Sequence, residues 1–366
     1  MIAAREKILL LASALQEGGA QRVYSILLRH LDRNAFEPHV ALLRAQGTYV
    51  EDLPKDVTVH DLCASRIRYS VPRIVKLIRK LRPKAVMSTM LATNLALILT
   101  KPFLPRGTRL LIREAGTPSR LLSDHVDHPL FWRSVYRNLY KHADRVICLS
   151  DAMASEMVEL FKLPPEKVVR IYNPLDEKRV RELGEQGDNP YSGPGPHLVS
   201  AGRLSHEKGF DVLVAALPRV LERLPKAELV ILGEGHLKKD LIEQATRLGL
   251  NVKVRFPGFQ SNPWRYFRHA DLFVLASRHE GMPNAVLEAL ALGTAVVATD
   301  CPGGIREIQG CAPGMILAPP EDPEALAEAI ISTCTDGKSS QKPQQCRPDL
   351  SKFNLQQVVR EYSELF

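Results

Sequence analysis

The 366-residue chain is poor in aromatic residues, which make up 6% of it, and it has no apolar run near the roughly 20 residues that cross a bilayer. Its six cysteines are scattered along the sequence, and none forms a Cys-x-x-Cys pair. Zinc sites and disulfide frameworks use regularly spaced cysteines, so this arrangement argues against both. Reduced thiols in a cytoplasmic protein are predicted instead.

Acidic residues are missing between Asp61 and Glu114, a stretch that contains twelve lysines and arginines. Residues 1–180 carry 29 basic and 18 acidic residues, a net charge of +11, and the remainder carries 20 and 23, a net of −3, which together give +8. Such a field favours an anionic partner. Nucleic acid is disfavoured, because aromatic residues do not interleave with the basic ones and no nucleic-acid-binding motif occurs. An anionic membrane surface fits the first half better.

Short apolar strands alternate with helical patterns along the whole chain. Strands are predicted at 7–12, 38–43, 85–88, 109–113, 145–149, 197–201, 228–232, 252–256, 272–275 and 295–298, and helices at 20–31, 72–81, 151–160, 209–223, 237–247, 284–292 and 354–365. The first apolar run, "KILLLAS", leads into a glycine loop and a helical pattern, which favours a buried strand over a signal peptide. The alternation predicts an α/β fold with parallel sheets covered on both faces.

One segment, "GEQGDNPYSGPGP" at 184–196, is rich in glycine and proline and has no hydrophobic period. It is predicted to link a domain at 1–183 to a domain at 197–351. The last helix, within 352–366, could pack back on the first domain. In open α/β sheets ligands bind beyond the carboxyl ends of the strands, so residues just after strands are the candidate site residues.

Two cations follow the predicted strand that ends near Ala201. In "AGRLSHEKGFDV", Arg203 and Lys208 lie in a loop before a helix that starts near Gly209. Cations and a helix N-terminus after a strand end form an anion site, suited to a diphosphate. Taken alone, these residues fit a pair of solvated surface charges equally well.

Two glutamates enclose the start of another helix in "SRHEGMPNAVLEALALG". Pro283 suits the first turn, and the free N–H groups there point toward an anion. Carboxylates beside a phosphate site are explained if they accept hydrogen bonds from hydroxyls, with Glu288 holding a ribose and Glu280 a sugar. The alternatives are a helix-dipole charge for Glu280 and an exposed helix position for Glu288, although its apolar neighbours disfavour the latter.

The Glu280–Glu288 pair reproduces the E-x7-E signature, and the chain resembles the retaining glycosyltransferases of family 4 (glycosyl transferases group 1). Matching segments span nearly the whole length: "EGGAQRV", "ADRVICLSDAMA", "IYNPLD", "AGRLSHEKGFDVLVAA", "LVILGEG" and "GTAVVATDCPGGIREI". The resemblance implies the GT-B fold, two doubly wound Rossmann-like domains that face a central cleft. The N-terminal domain would then bind the acceptor and the C-terminal domain a nucleotide sugar.

The resemblance also implies roles for single residues. Catalysis would fall to Glu280, Lys208 and Arg203. The implied donor-binding residues are Gly18, Gly19, Arg203, Lys208, Gly258, Phe259, Glu280, Gly281, Met282, Pro283, Asn284 and Glu288. Many family members carry a histidine near the sugar where this chain has Arg113 and Glu114, which are therefore candidates to face the acceptor or the sugar.

A metal ion and a cofactor are not expected. No Asp-x-Asp motif occurs, which agrees with an enzyme whose cations are Arg203 and Lys208. The segment "SDHVDH" at 123–128 is interpreted as a mobile acceptor loop, with a metal site as the alternative.

The predicted function is retaining transfer of an N-acetylhexosamine or hexose from a nucleoside diphosphate sugar, most simply a UDP-sugar, to a hydroxyl of a glycan or lipid-linked acceptor in cell-surface polysaccharide synthesis. GDP-mannose remains open as the donor. The alternatives are a sugar-nucleotide epimerase of the same fold and a non-catalytic nucleotide-sugar-binding protein. The predicted location is the cytoplasm, including peripheral association with the cytoplasmic face of the inner membrane. The amphipathic segments 71–83 and 129–143 could lie on an anionic bilayer, or their apolar stripes could pack on the sheet.

Overall fold

The computed structural model describes residues 5–16, 18–120, 128–335 and 348–366. They form two compact units, one built from the chain up to Pro174 together with Leu355–Phe366, the other from Leu175–Asn354. Each unit contains one sheet, and all the strand pairs in the described residues are parallel. The alternation of strands and helices in the sequence therefore predicted the fold class correctly.

The first unit has a seven-stranded sheet in the order β3-β2-β1-β4-β5-β6-β7. Its strands are β1 (Glu6–Ala12), β2 (Phe36–Leu42), β3 (Thr58–Asp61), β4 (Ala85–Thr89), β5 (Arg109–Arg113), β6 (Arg145–Cys148) and β7 (Val168–Arg170). Its helices are α1 (Gly19–His30), α2 (Thr48–Glu51), α3 (Val71–Leu81), α4 (Leu91–Leu99), α5 (Pro129–Leu139) and α6 (Asp151–Glu159). The central strand β1 is buried on both faces, which explains why its sequence is a continuous apolar run.

The second unit has a six-stranded sheet in the order β10-β9-β8-β11-β12-β13. Its strands are β8 (His197–Ala201), β9 (Glu228–Leu232), β10 (Val254–Gly258), β11 (Leu272–Leu275), β12 (Ala295–Thr299) and β13 (Ile316–Ala318). Its helices are α7 (Glu177–Gly184), α8 (Phe210–Arg223), α9 (Lys238–Arg247), α10 (Trp264–His269), α11 (Asn284–Ala291), α12 (Ile305–Gln309) and α13 (Pro323–Thr335). In both sheets the order reverses once, between β1 and β4 and between β8 and β11. Ligands of open α/β sheets bind at such switch points.

The last helix, α14 (Leu355–Leu365), belongs to the first unit. Its apolar side chains, among them Val358 and Tyr362, are buried in the same core cluster as strand β1. Phe366 closes this contact with its ring edge-on to Phe36, at 6.0 Å between centroids. The helix that has no evident partner in the sequence thus covers the first sheet.

The chain passes between the units at Pro174–Leu175 and at Asn354–Leu355, not at the predicted linker 184–196. That segment lies inside the second unit, where the ring of Tyr191 stacks on His197 at 4.6 Å between centroids. The Tyr191 hydroxyl donates a hydrogen bond to the carbonyl of Tyr266 at 2.9 Å. Glycine and proline therefore mark an irregular but packed segment, because one buried tyrosine anchors it.

The two basic amphipathic helices differ in how their apolar residues are placed. In α3, Ile74 and Ile78 are buried, so these two residues of the apolar stripe pack within the unit, whereas the charged residues of the helix are exposed. In α5, Tyr136 is buried, but Leu130 and Phe131 at its start are 80% and 61% exposed. A bilayer-crossing helix, which needs both length and apolar character, does not occur in the described part of the chain.

Candidate functional site

Lys208 lies in the loop that follows strand β8. Its aliphatic stem packs against Gly202, directly beyond the end of the strand. Lys208 ends a single 3-10 turn, and Gly209 then adopts a left-handed conformation (φ +60) before helix α8 begins. A Cβ at Gly209 would clash with the carbonyl oxygen of Ala276. Glycine is required here because the loop lies directly against the chain that leaves β11.

Glu280 lies in the loop that follows β11, the neighbour of β8 in the sheet. The ammonium of Lys208 donates to Glu280 Oε1 at 2.6 Å, and the Ser277 hydroxyl donates to the same oxygen at 2.7 Å. Glu280 and Ser277 are both buried, whereas the Lys208 side chain is 23% exposed. The structure therefore joins a cation and a carboxylate, 72 residues apart in sequence, at the switch point of the second sheet.

The backbone around Glu280 is fixed by the segment Pro302–Gly304. The Glu280 N–H donates to the Pro302 carbonyl, and the Gly304 N–H donates to the Gly281 carbonyl, both at 3.0 Å. Gly303 has φ +122, and a Cβ there would clash with the Glu280 carbonyl oxygen. The "CPGG" glycines thus allow a second segment of the same chain to lie against the Glu280 loop and hold it.

Arg278 connects the two loops, a role that sequence analysis missed. Its guanidinium donates to both carboxylate oxygens of Asp211, at 2.9 and 2.7 Å, and to the His206 carbonyl at 2.6 Å. These hydrogen bonds raise the pKa of Arg278. Burial pushes the pKa of Asp211 upward, but the hydrogen bonds and charge of Arg278 hold it below its ordinary value. The loops that carry Lys208 and Glu280 are consequently held by a bidentate ion pair.

Glu288 lies on α11 and is buried, so the alternative of an exposed helix position is wrong. The indole N–H of Trp264 donates to Glu288 Oε2 at 2.9 Å. Trp264 was not identified from sequence, and its contact sets the orientation of the carboxylate. Helix α11 begins at Asn284, with Pro283 directly before it.

The remaining predicted residues of the second unit are distributed around this contact. Met282 is buried, and its side chain packs on Gly304, so Gly281 and Met282 belong with the Glu280 loop. The side chain of Arg203 is exposed. Gly258 ends another strand, β10, and Phe259 follows it; neither takes part in the Lys208–Glu280 contact.

In the first unit, Gly18 and Gly19 lie where β1 gives way to α1, at the switch point of that sheet. Their predicted role, approach of the backbone to phosphate and acceptor, stays a prediction. The predicted loop "SDHVDH" falls at 123–128, of which only His128 belongs to the described residues. Among the described residues no group of three His, Cys, Asp or Glu side chains could hold a metal ion, and independence from metal stays a prediction.

Arg113 has a buried side chain whose hydrogen bonds all stay within the first unit. It is fully buried, and its guanidinium donates to the hydroxyl of Tyr362 at 3.0 Å, to Thr89 Oγ1 at 3.2 Å and to Asn173 Oδ1 at 2.6 Å. Tyr362 belongs to the last helix. Arg113 therefore holds α14 on the sheet, because a buried cation requires hydrogen-bond acceptors on every side.

Glu114 is buried as well and does not present a free carboxylate. It accepts hydrogen bonds from Asn94 Nδ2 at 3.0 Å and from the hydroxyl of Tyr140. Burial raises the pKa of Glu114 to about 7, against the opposing effect of these two hydrogen bonds. Both residues are thus hydrogen-bonded inside the unit, and their predicted role at the acceptor or the sugar stays a prediction.

Two family models match the chain in succession. The model described as Glycosyltransferase Family 4 matches residues 17–179, and the model described as Glycosyl transferases group 1 matches residues 187–347. A Campylobacter jejuni protein, N-acetylgalactosamine-N,N'-diacetylbacillosaminyl-diphospho-undecaprenol 4-alpha-N-acetylgalactosaminyltransferase, is 30% identical over 346 residues, with 91% of each chain covered. The chain belongs to the group 1 glycosyltransferases. A second relative of this glycosyltransferase, the lipopolysaccharide core biosynthesis glycosyltransferase LpsE of Rhizobium meliloti, is 27% identical over 79% of this chain and 77% of its own.

Solved structures show that this group 1 glycosyltransferase has the GT-B fold. Anabaena HepE, in complex with UDP and glucose, matches with a TM-score of 0.78 at 21% identity, covering 98% of this chain and 99% of its own. The sucrose-phosphate synthase of Thermosynechococcus elongatus matches with a TM-score of 0.79 at 17% identity, covering 99% and 98%. The predicted family, the predicted fold and the predicted enzyme class, a hexosyltransferase, are confirmed.

Proposed function

We propose that this glycosyltransferase moves an N-acetylhexosamine from a UDP-sugar to a hydroxyl of a lipid-linked or glycan acceptor with retention of configuration, in the synthesis of a cell-surface polysaccharide. The observation that carries the proposal is the Lys208–Glu280–Ser277 contact at the switch point of the second sheet. The name of the Campylobacter jejuni relative, an N-acetylgalactosaminyltransferase of a diphospho-undecaprenol substrate, supports the choice of sugar and acceptor. UDP in the HepE structure supports the choice of base.

Lys208 supplies charge to the leaving group. Negative charge grows on the diphosphate as the glycosidic bond to it breaks, and a preorganised cation lowers the barrier where that charge develops. The Lys208 ammonium pairs with the Glu280 carboxylate at 2.6 Å. A bound diphosphate competes for the ammonium and leaves the Glu280 carboxylate to accept hydrogen bonds from sugar hydroxyls.

Glu280 and Glu288 act by position in this proposal. Glu280 orients the sugar while the acceptor hydroxyl attacks on the face that the diphosphate leaves, and a leaving phosphate oxygen takes the acceptor proton. Glu288, oriented by Trp264, accepts hydrogen bonds from the ribose. Arg203, exposed on the same loop as Lys208, is the second cation for the diphosphate. With two cations in these roles, the reaction proceeds without a metal ion or other cofactor.

The acceptor is bound from the cytoplasmic side of the membrane in this proposal. The excess of basic residues in the first half of the chain would be attracted to anionic lipids. The exposed Leu130 and Phe131 at the start of α5 add apolar contact area. A glycosyltransferase bound to that surface encounters a lipid-linked acceptor by diffusion in the plane of the membrane.

A thermal-shift panel of UDP-, GDP- and ADP-sugars tests the donor, followed by transfer to lipid-linked acceptors with NMR of the new anomeric centre. Selective stabilisation by a UDP-N-acetylhexosamine and an unchanged anomeric configuration in the product are expected. An altered sugar nucleotide without transfer would instead identify an epimerase. Donor binding without transfer to any acceptor would favour the non-catalytic alternative.

A further inference from the structure

A basic groove lies in the first unit, on the side of the sheet away from Gly18 and Gly19. Its volume is about 760 Å³, and it is lined by the end of α3, by the residues before β4 and by the loop 102–108. We call it the basic groove, because its charged lining residues are Arg79, Arg82, Lys84 and Arg106, with no acidic side chain among them. A groove lined by one sign of charge concentrates ions of the opposite sign.

The position of the groove separates it from the switch point of the same sheet. Lys84 comes directly before β4, and Thr108 comes directly before β5, so the groove lies at the amino ends of these strands. Ligands of the sheet bind at the carboxyl ends. The basic groove is therefore a separate site and does not extend the one at Gly18 and Gly19.

Among the described residues, two of the four cations have neither an ion-pair partner nor a side-chain hydrogen bond. Lys84 pairs with Glu6, and Arg79 donates to the Phe103 carbonyl at 3.1 Å with its guanidinium 6.0 Å from the Phe103 ring centroid. Arg82 and Arg106 are exposed, and neither has an ion-pair partner among the described residues. The groove therefore presents two arginines ready to pair with an anion.

The backbone of Arg82 supports a role for its side chain. Arg82 caps α3 in a left-handed conformation, φ 50 and ψ 55, and its N–H donates to the Ile78 carbonyl at 2.8 Å. Glycine is the usual residue at such a helix end, since a Cβ is unfavourable there. Arg79 and Lys80 already place cations in the last turn, so the helix dipole does not account for a third.

Two apolar side chains, one in the groove and one at the end of α4, are exposed. Phe103 lines the groove and is 51% exposed, and Leu99, four residues earlier, is 54% exposed. A soluble phosphate would need only the arginines. Cations next to exposed apolar side chains match the boundary between lipid headgroups and acyl chains.

We propose that the basic groove binds the phosphate of an anionic phospholipid headgroup through Arg82 and Arg106, with Phe103 and Leu99 contacting the acyl boundary. The inference rests on the membrane part of the proposed function and names the surface that performs it. It differs from the stripe of α3 predicted from sequence, because the central residues of that stripe, Ile74 and Ile78, are buried inside the unit.

The test compares two variants that lose the same net charge. Arg82→Gly with Arg106→Gln removes the two arginines of the groove while glycine suits the left-handed backbone at position 82. Arg223→Gln with Lys226→Gln removes two exposed cations of the second unit and serves as the control. Co-sedimentation is measured with vesicles of phosphatidylcholine and phosphatidylglycerol, and with pure phosphatidylcholine as the reference.

The groove variant is expected to bind the mixed vesicles roughly 30-fold more weakly than the wild type, at about 1 kcal/mol for each basic residue near the surface. The control should bind nearly as the wild type does, and the melting temperature of the groove variant should not fall. Equal binding by the two variants overturns the groove but leaves membrane association intact. Absence of wild-type binding overturns both.

Two further measurements separate the sources of phosphate and the two proposals. Calorimetric binding of inorganic pyrophosphate to the wild type without vesicles, lost in the groove variant, would overturn the lipid assignment in favour of a soluble anion. Transfer to a short-chain acceptor in solution should be unchanged in the groove variant. A matching loss of that activity would contradict a surface that acts only in membrane binding.

Discussion

The two units place charged residues after their strands with opposite results. In the second, Lys208 and Glu280 follow β8 and β11, the strands at which the sheet order reverses, and they bond to each other with the lysine partly exposed. In the first, Arg113 ends β5 and Glu114 follows it, one strand beyond the reversal, and both are buried. A charge after a strand is available to a ligand only where the rest of the fold leaves it accessible.

The difference arises from what covers each strand end. Helix α14 brings Tyr362 to Arg113, and Asn94 at the start of α4 reaches Glu114. At the switch point of the second sheet, the connections leave β8 and β11 in opposite directions, and open α/β sheets bind their ligands at this position. The Lys208–Glu280 pair should therefore control activity, and the Arg113–Glu114 pair should control stability.

Lys208→Ala has the largest expected effect, and it tests whether the Lys208–Glu280 pair controls activity. Turnover at saturating donor should fall about 10² to 10³-fold, the loss typical of one preorganised group that stabilises developing charge. Steady-state kinetics with purified donor and acceptor measure it. Lys239→Ala, which removes an exposed lysine paired with Glu243, is the control and should leave turnover unchanged. Near-normal turnover in Lys208→Ala would show that the cation does not act on the leaving group.

Arg113→Met tests whether the Arg113–Glu114 pair controls stability. The free energy of unfolding should fall by about 3 kcal/mol, because three hydrogen bonds from a buried cation are lost and their acceptors stay buried. Urea denaturation measures the loss. The remaining folded enzyme should keep its turnover number at low temperature. Unchanged stability with lost turnover would return Arg113 to the substrate site.

The sequence alone predicts most of the strands of the two units, but not all of them. The ten strands predicted in advance agree with the structure to within two residues at each end, because buried parallel strands are continuous apolar runs. The three strands that were missed, β3, β7 and β13, have three or four residues each, and most of these are only partly buried. Such short segments carry too little apolar pattern to be recognised.

The prediction of site residues is limited in the same way, because it depends on local sequence patterns. Lys208 and Glu280 could be predicted because each lies in a recognisable loop between a strand and a helix. Arg278 and Trp264 could not, because their partners Asp211 and Glu288 are 67 and 24 residues away in sequence. No local pattern distinguishes the buried Arg113 from the accessible Lys208, since both follow an apolar strand.

The pH dependence of the free energy of unfolding tests whether the buried Glu114 contributes to the stability of the first unit. Its pKa is raised from 4.5 to about 7 in the folded chain, so the folded state holds the proton more tightly. The stabilisation is complete below about pH 4.5 and is lost as pH rises through about 7. The free energy of unfolding should fall by about 3 kcal/mol across that window in the wild type, relative to Glu114→Gln. Parallel pH profiles of the two proteins would mean that Glu114 ionises normally.

Ser277→Ala has the smallest expected effect, because it removes one hydrogen bond to the Glu280 carboxylate but keeps the carboxylate itself. The buried hydroxyl of Ser277 donates to the same Glu280 oxygen as Lys208 does, so its loss lets the carboxylate turn without removing any charge. We expect kcat to fall about tenfold, with UDP affinity unchanged, since one neutral-to-charged hydrogen bond of this kind is worth about 1.5 kcal/mol.

The matched control for this change is Ser200→Ala, which deletes an equally buried hydroxyl that donates to the Val274 carbonyl at 2.6 Å and does not contact Glu280. Both variants should lose similar stability in urea, but only Ser277→Ala should lose kcat. If the two lose kcat by the same factor, the effect of Ser277 arises from general loosening of the second sheet. The position of Glu280 would then depend on Lys208 and on the Arg278 and Pro302–Gly304 contacts.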